Sequence, residues 1–199
     1  RADHIFEATG ASPIEDGVVT IEDGRISAVG PARLMADPGA GSVRRFDGCT
    51  ILPGFIDAHA HLSLPADGRS YEQMMLDPDE MQTLIAAKNM RLHLESGVTT
   101  LRDNGARNRV TFVLREAINR GYFVGPRLLL SGRPVTHSSG HFHFCNEVAD
   151  GPEGLRRAVR RLVAEGADHI NIMASGGDTA GNIPYRASYN AAELRADVE

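Results

Sequence analysis

Two cysteines in 199 residues, Cys49 and Cys145, are too few for a disulfide framework. They suit a reducing compartment, and a cytoplasmic protein is expected. No apolar run approaches the roughly 18 residues that a membrane span needs, so no membrane association is expected. Positive charge is not in excess either. A net charge of −5 argues against nucleic acid as a main partner. The start, Arg1-Ala-Asp-His4, lacks Met and lacks the charged-then-apolar order of a secretory signal. The sequence therefore reads as a processed protein or as an excerpt of a longer chain.

What is present suffices for a sizeable core, since 42% of the residues are hydrophobic and no segment is of low complexity. Residues 1 to 50 read as short strands joined by tight turns. Val18–Ile21 and Ile26–Val29 form a hairpin around Asp23-Gly24. Pro31, Pro38, Gly39 and Gly41 mark loops, and Val43–Phe46 is a further candidate strand. This segment is expected to be the N-terminal part of a small composite β-domain, a β-sandwich segment.

From Ile51 the pattern changes to alternating strands and helices. Strand-like runs occur at Ile51–Ala58, Val98–Arg102, Arg127–Ser131 and His169–Ala174. The first helix starts at Asp77-Pro78-Asp79-Glu80, with Met81, Leu84, Ile85 and Leu92 at helical spacing, and stops at Gly97. The second uses Val110, Val113, Leu114, Ala117 and Ile118 and stops at Gly121. The third uses Leu155, Val159, Leu162 and Val163 and stops at Gly166, and Asn190-Ala-Ala-Glu193 is a capping box opening a fourth, cut short at Glu199. Such alternation implies parallel strands with right-handed crossovers. A (β/α)8 barrel needs about 200 to 250 residues. The fold class is therefore α/β: residues 51–199 are the first four βα units of a TIM-like barrel, its first half, behind the β-segment.

The chemistry concentrates at His59-Ala60-His61. In an extended strand residues two apart share a face, so Asp57, His59 and His61 should project together, and two imidazoles on one face can grip one divalent ion. A bare His-x-His is weak with 8 histidines present, and His141-Phe142-His143 is a second one. Context raises the first. Pro53-Gly54 gives a sharp entry, and apolar Phe55-Ile56 leads into a polar strand end, where barrels keep their chemistry.

Three segments carry a resemblance. Gly54-Phe-Ile-Asp-Ala-His-Ala-His61, Gly97-Val-Thr-Thr-Leu-Arg-Asp103 and the run from Gly166 to Gly177 resemble successive strands of the amidohydrolase superfamily. They are most similar to its imidazolonepropionase-related branch of Xaa-Pro and Xaa-Arg dipeptidases. The resemblance implies hydrolysis of a C–N bond, in a dipeptide or N-acyl amino acid, by metal-activated water. It implies His59 and His61 as metal ligands, with Zn²⁺ as the expected divalent ion. It places further histidines and the general base beyond Glu199. In that branch a carbamylated lysine bridges two metals, and the matching residue here is Asn171, which cannot be carbamylated. A single-metal site, an engineered position or a lost activity are the three readings, and one metal is the expectation carried forward.

The loop Val135–Cys145 should lie at the catalytic mouth and holds His137, His141 and His143. The resemblance suggests that at least one contacts the substrate carbonyl or carboxylate. A Cys145-centred metal site is an alternative without a standard spacing. Asp57 and Asp103 could orient a ligand imidazole or hold strand-end amides, and Ser175-Gly176-Gly177 could bind an anion or simply turn the chain. His4, His93 and His169 have surface or packing roles by default. Two rival functions stay open. One is a non-catalytic half-barrel scaffold that needs a second chain, since open strand edges invite homo-oligomers or association with the other barrel half. The other is a single-metal deaminase or cyclic-amide hydrolase.

Overall fold

The structure, a computed structural model, describes residues 1–36 and 43–198. Pro38, Gly39 and Gly41, read above as loop markers, and Glu199 lie outside the described residues. The chain divides into two compact units, Arg1–Gly54 and Phe55–Glu199.

The first unit is one sheet of β1 (Ala2–Ile5), β2 (Ile14–Glu22), β3 (Arg25–Pro31) and β4 (Phe46–Ile51), ordered β3-β2-β1-β4. Glu22 faces Arg25 across the hairpin, and Asp23 and Gly24 both take positive φ, 49° and 73°, as a type I′ turn requires. The described residues thus supply a single layer of the sandwich expected above. The strand expected at Val43–Phe46 begins at Phe46 and runs to Ile51. It absorbs the first residue of the presumed barrel strand and moves the boundary from 50 to 54.

The second unit contains β5 (Phe55–Ala60), α1 (Tyr71–Met74), α2 (Asp79–Glu95), β6 (Val98–Asp103), α3 (Val110–Asn119), β7 (Arg127–Leu130), β8 (Val135–Thr136), β9 (Glu147–Val148), α4 (Gly151–Glu165) and α5 (Ala191–Val198). β5, β6 and β7 are parallel neighbours in that order, with α2 and α3 as the crossovers. The expected fourth strand at 169–174 is reduced to one parallel bridge, Ile172 to Val135. Its backbone bonds explain why. Asp168 N–H reaches Leu130 O (2.7 Å), whereas Asn171 O accepts from Val135 (2.8 Å), so the partner strand is interrupted between residues 130 and 135. Gly132, with φ 70°, and Pro134 lie in that interruption and break the ladder there.

One core cluster, with Leu62, Met90, Leu101, Leu114 and Leu130 at its centre, lies between this sheet and α2 and α3. A second, with Val135, Leu155, Leu162 and Tyr189, lies under α4. The apolar face expected on α2 is not the buried one. Met81, Leu84 and Leu92 are exposed, while Gln82, Ala86 and Met90 face the sheet. Small Ala86 permits close approach, and the buried Gln82 amide donates to Met74 O (3.3 Å). Val113 of α3 and Val163 of α4 also face outward. Glycine and cap signals match local structure closely. Gly166 ends α4 at φ 101°, with Ala167 N–H on Leu162 O and Gly166 N–H on Val163 O, a Schellman closure. Asn190 and Glu193 form the expected reciprocal cap.

Candidate active site

β5 does not keep its register. Its pairing with β6 shifts between Asp57 and Ala60, and this irregularity changes which side chains share a face. Ala60 and Leu62 are buried in the core on the helix side. His59 and His61 point the other way and line a cavity of about 440 Å³. Asp57 parts from them, contrary to the simple alternation. Its carboxylate accepts the His59 N–H (3.0 Å) and lies 3.7 Å from His93 Nδ1 on α2. Asp57 thus holds a strand-end amide, and His93 has a partner that the sequence did not suggest.

The two imidazoles meet edge to face with ring centroids 5.4 Å apart. Burial pushes the His61 pKa down, opposed by the Gly105 carbonyl and aided by the nearby His59, so the ring is held neutral. His61 Nδ1 lies 3.4 Å from Gly105 O. A proton on Nδ1 satisfies that carbonyl and leaves the Nε2 lone pair free, the form in which histidine binds metals. Gly105 itself has φ 146°, and a Cβ there would collide with the Pro134 ring, so only glycine brings this carbonyl into place. Asp103, at the end of β6, is fully buried and accepts the Leu62 N–H (2.9 Å). It therefore holds the backbone next to His61 instead of an imidazole. Burial raises its carboxyl to about 6, against the pull of the Leu62 amide, the Thr111 hydroxyl and the Gly105 amide.

Asn171 also lines the cavity, and its Nδ2 donates to Asn104 O (2.5 Å). The buried Asn104 side chain meets His169 Nε2 at 3.0 Å, which gives His169 a packing role with a defined partner. Of the three loop histidines, His141 alone joins His59 and His61 on this cavity. His137 borders a separate cleft with Arg186, its Nδ1 2.7 Å from Ser138 O and its ring edge-on to Tyr189. His143 Nδ1 meets Gly140 O (3.1 Å), and its ring packs on Phe144.

Leu64, Tyr71, Met75 and Phe142 form an apolar wall of the same cavity. Tyr71 belongs to α1, absent from the sequence reading although Ser70 and Gln73 form a capping box that signals it. Cys145 is on this wall too. Burial raises its thiol to about 12, and no cluster of three His, Cys, Asp or Glu able to hold a metal occurs among the described residues, so the Cys145-centred site is not formed. In Ser175-Gly176-Gly177 the Gly176 N–H is spent on Arg186 O (3.0 Å), and Gly177 lies against the His141 ring. The segment turns the chain and makes room for an imidazole. No helix among the described residues is long and apolar enough to cross a membrane.

The profile of the amidohydrolase family matches residues 50–196. An ochratoxinase of Aspergillus niger is 27% identical over 176 residues, which cover 75% of this chain and 36% of that protein. An imidazolonepropionase of Methylobacterium sp. (strain 4-46) is 36% identical over 77 residues, 34% of this chain and 19% of that one. Among solved structures, a prolidase complexed with N-methylphosphonate-L-proline superposes with a TM-score of 0.83 at 28% identity, covering 98% of this chain and 51% of the other. The chain thus spans about half or less of the length of these relatives.

Proposed function

This chain belongs to the amidohydrolase family, and from that premise we propose that it carries the metal-gripping strand of a hydrolase that cuts C–N bonds in dipeptides or N-acyl amino acids. The observation that carries the proposal is the His59–His61 pair at the carboxyl end of β5. The pair lies on one cavity wall, with His61 neutral and turned by the Gly105 carbonyl to offer Nε2. Two imidazoles in this arrangement fit two corners of a Zn²⁺ site, whose remaining ligands and general base we assign outside these 199 residues. A bound divalent ion supplies carbonyl polarisation and a water acidic enough to act near neutral pH.

The chain's own residues have the following parts. His59 and His61 hold the ion, and the Gly105 carbonyl keeps the His61 ring in register. His141 reaches the same cavity and donates a hydrogen bond to the substrate carbonyl oxygen. Leu64, Tyr71, Met75 and Phe142 take up apolar substrate surface and exclude water. Asn171 is a neutral amide already engaged by Asn104 O, which supports a site with one ion and not two.

The test is His59→Ala in the intact protein, with bound metal counted by elemental analysis and dipeptide and cyclic-amide hydrolysis followed in parallel. Loss of one equivalent of metal together with dipeptide turnover is expected. Unchanged metal content overturns the ligand assignment, and turnover of ring amides alone overturns the substrate class.

A further inference from the structure

His141 is held by a residue that the sequence reading passed over. Thr179 is buried, and its hydroxyl lies within hydrogen-bonding distance of His141 Nδ1. The same oxygen accepts the Phe142 N–H at 3.2 Å. One hydroxyl therefore fixes both the imidazole and the backbone that follows it. Other neighbours border the ring. A Cβ at Gly177 would strike Nε2, so glycine there leaves that nitrogen room, while Phe142 packs at 4.5 Å between centroids and Tyr71 stands edge-on at 6.4 Å.

The direction of the Thr179 proton follows from satisfaction of buried groups. The oxygen uses one lone pair on the Phe142 amide, and its O–H needs an acceptor of its own. His141 Nδ1 is the acceptor in reach. An Nδ1 that accepts is unprotonated, so a neutral ring carries its proton on Nε2. Burial lowers the His141 pKa and keeps the ring neutral, as this requires.

We propose that Thr179 is a positioning residue that locks His141 in the Nε2–H tautomer, so that the ring meets the substrate carbonyl as a fixed hydrogen-bond donor. The assignment rests on the hydrolase reading above, because it gives the donor a carbonyl oxygen to stabilise as charge develops on it. A donor held in advance in this way loses no reorganisation energy at the moment of reaction.

The experiment has one arm without substrate and one with it. In ¹⁵N-labelled protein, the His141 signals, assigned by their loss in His141→Ala, should show an acceptor-type Nδ1 and a protonated Nε2. Thr179→Val should convert this pattern to a mixture of tautomers, and Thr179→Ser should restore it. A resting protein with the proton on Nδ1, or a pattern indifferent to Thr179→Val, overturns the proposal whatever the substrate. In turnover, Thr179→Val should lower kcat about 10- to 100-fold with little change in KM, as loss of outer partners does at metal centres. His141→Ala should cost about 100- to 1,000-fold, as expected for an oxyanion donor. The double variant should be no slower than His141→Ala alone. Additive losses mean that Thr179 supports the fold and not the ring, and they overturn the proposal. Failure of the hydrolase reading would instead leave the tautomer pattern intact.

Discussion

Asp103→Asn offers a direct test of how the ligand strand is held. The carboxyl is fully buried, and burial lifts its pKa from 3.8 to about 6. A rise of about two units at 1.36 kcal/mol per unit makes the ionised form cost about 3 kcal/mol in the folded state. The folded protein holds this proton more tightly than the unfolded chain does. Stability from this group is therefore greatest below the unfolded value, falls as pH rises from about 4 to 6, and stays low above pH 6. Asparagine keeps an oxygen for the Leu62 N–H and carries no charge. Urea unfolding of both proteins at intervals from pH 4 to 7 gives the difference in stability. That difference should move by about 2 kcal/mol in favour of Asp103→Asn between the two ends, because at pH 4 the unfolded carboxyl is already partly ionised. Any fixed change, such as loss of the Gly105 contact, is the same at every pH and cancels. Carboxylates held below their usual range, such as Asp79, Asp150 and Glu165, slope the opposite way but do so in both proteins. A pH-independent difference would refute the reasoning.

Two further outcomes are expected beyond the tests of His59 and Thr179. Arg133 pairs with Glu165 through two bonds of 2.8 Å and with the buried Glu147 at 3.0 Å. Arg133→Ala should cost about 1–3 kcal/mol in urea unfolding at pH 7, because it removes both bonds to Glu165 and one of the two cations on Glu147, which keeps Arg161 at 2.9 Å. Arg133 also holds the Glu165 carboxyl below its usual range, so this contribution should be present above about pH 4.5 and fade as acidification passes the lowered folded value. Gly105→Ala should displace the carbonyl that orients His61 and weaken metal affinity about 10- to 100-fold by competitive chelator titration. An unchanged affinity would mean that the His61 ring needs no such brace.

Legibility in the sequence followed the range of the interactions involved. β6, β7, the ends of α3 and α4 and the cap of α5 were readable because glycines and capping side chains act within a few residues. The face of α2 was not readable. Gln82, Ala86 and Met90 are buried because of what lies across from them, and Met81, Leu84 and Leu92 have the stronger apolar signal but no partner there. The interruption at Gly132 and Pro134 was visible as letters, yet its effect on the pairing of residues 169–174 depends on the neighbouring strand. In the site, the His59–His61 pair was legible from alternation, whereas the position of Asp57 was not, since the register shift arises in pairing with β6. His141 could not be separated from His137 and His143 within an irregular loop without periodicity. Thr179 is 38 residues from the ring it contacts, and no local pattern links them.

The irregularity in β5 has a consequence for how this segment can change over time. Side-chain direction inverts across it, so Asp57 lies toward α2 whereas His59 and His61 face the cavity. A point substitution between Ala58 and Ala60 leaves the residue count intact. Loss or gain of one residue there would restore plain alternation, turn the imidazoles toward Met90 and Leu101, and bring alanine and leucine to the cavity. Length at this point is therefore constrained as tightly as the two histidines themselves. Among homologues, substitutions at Ala58 should accumulate while insertions and deletions between Asp57 and His61 stay absent.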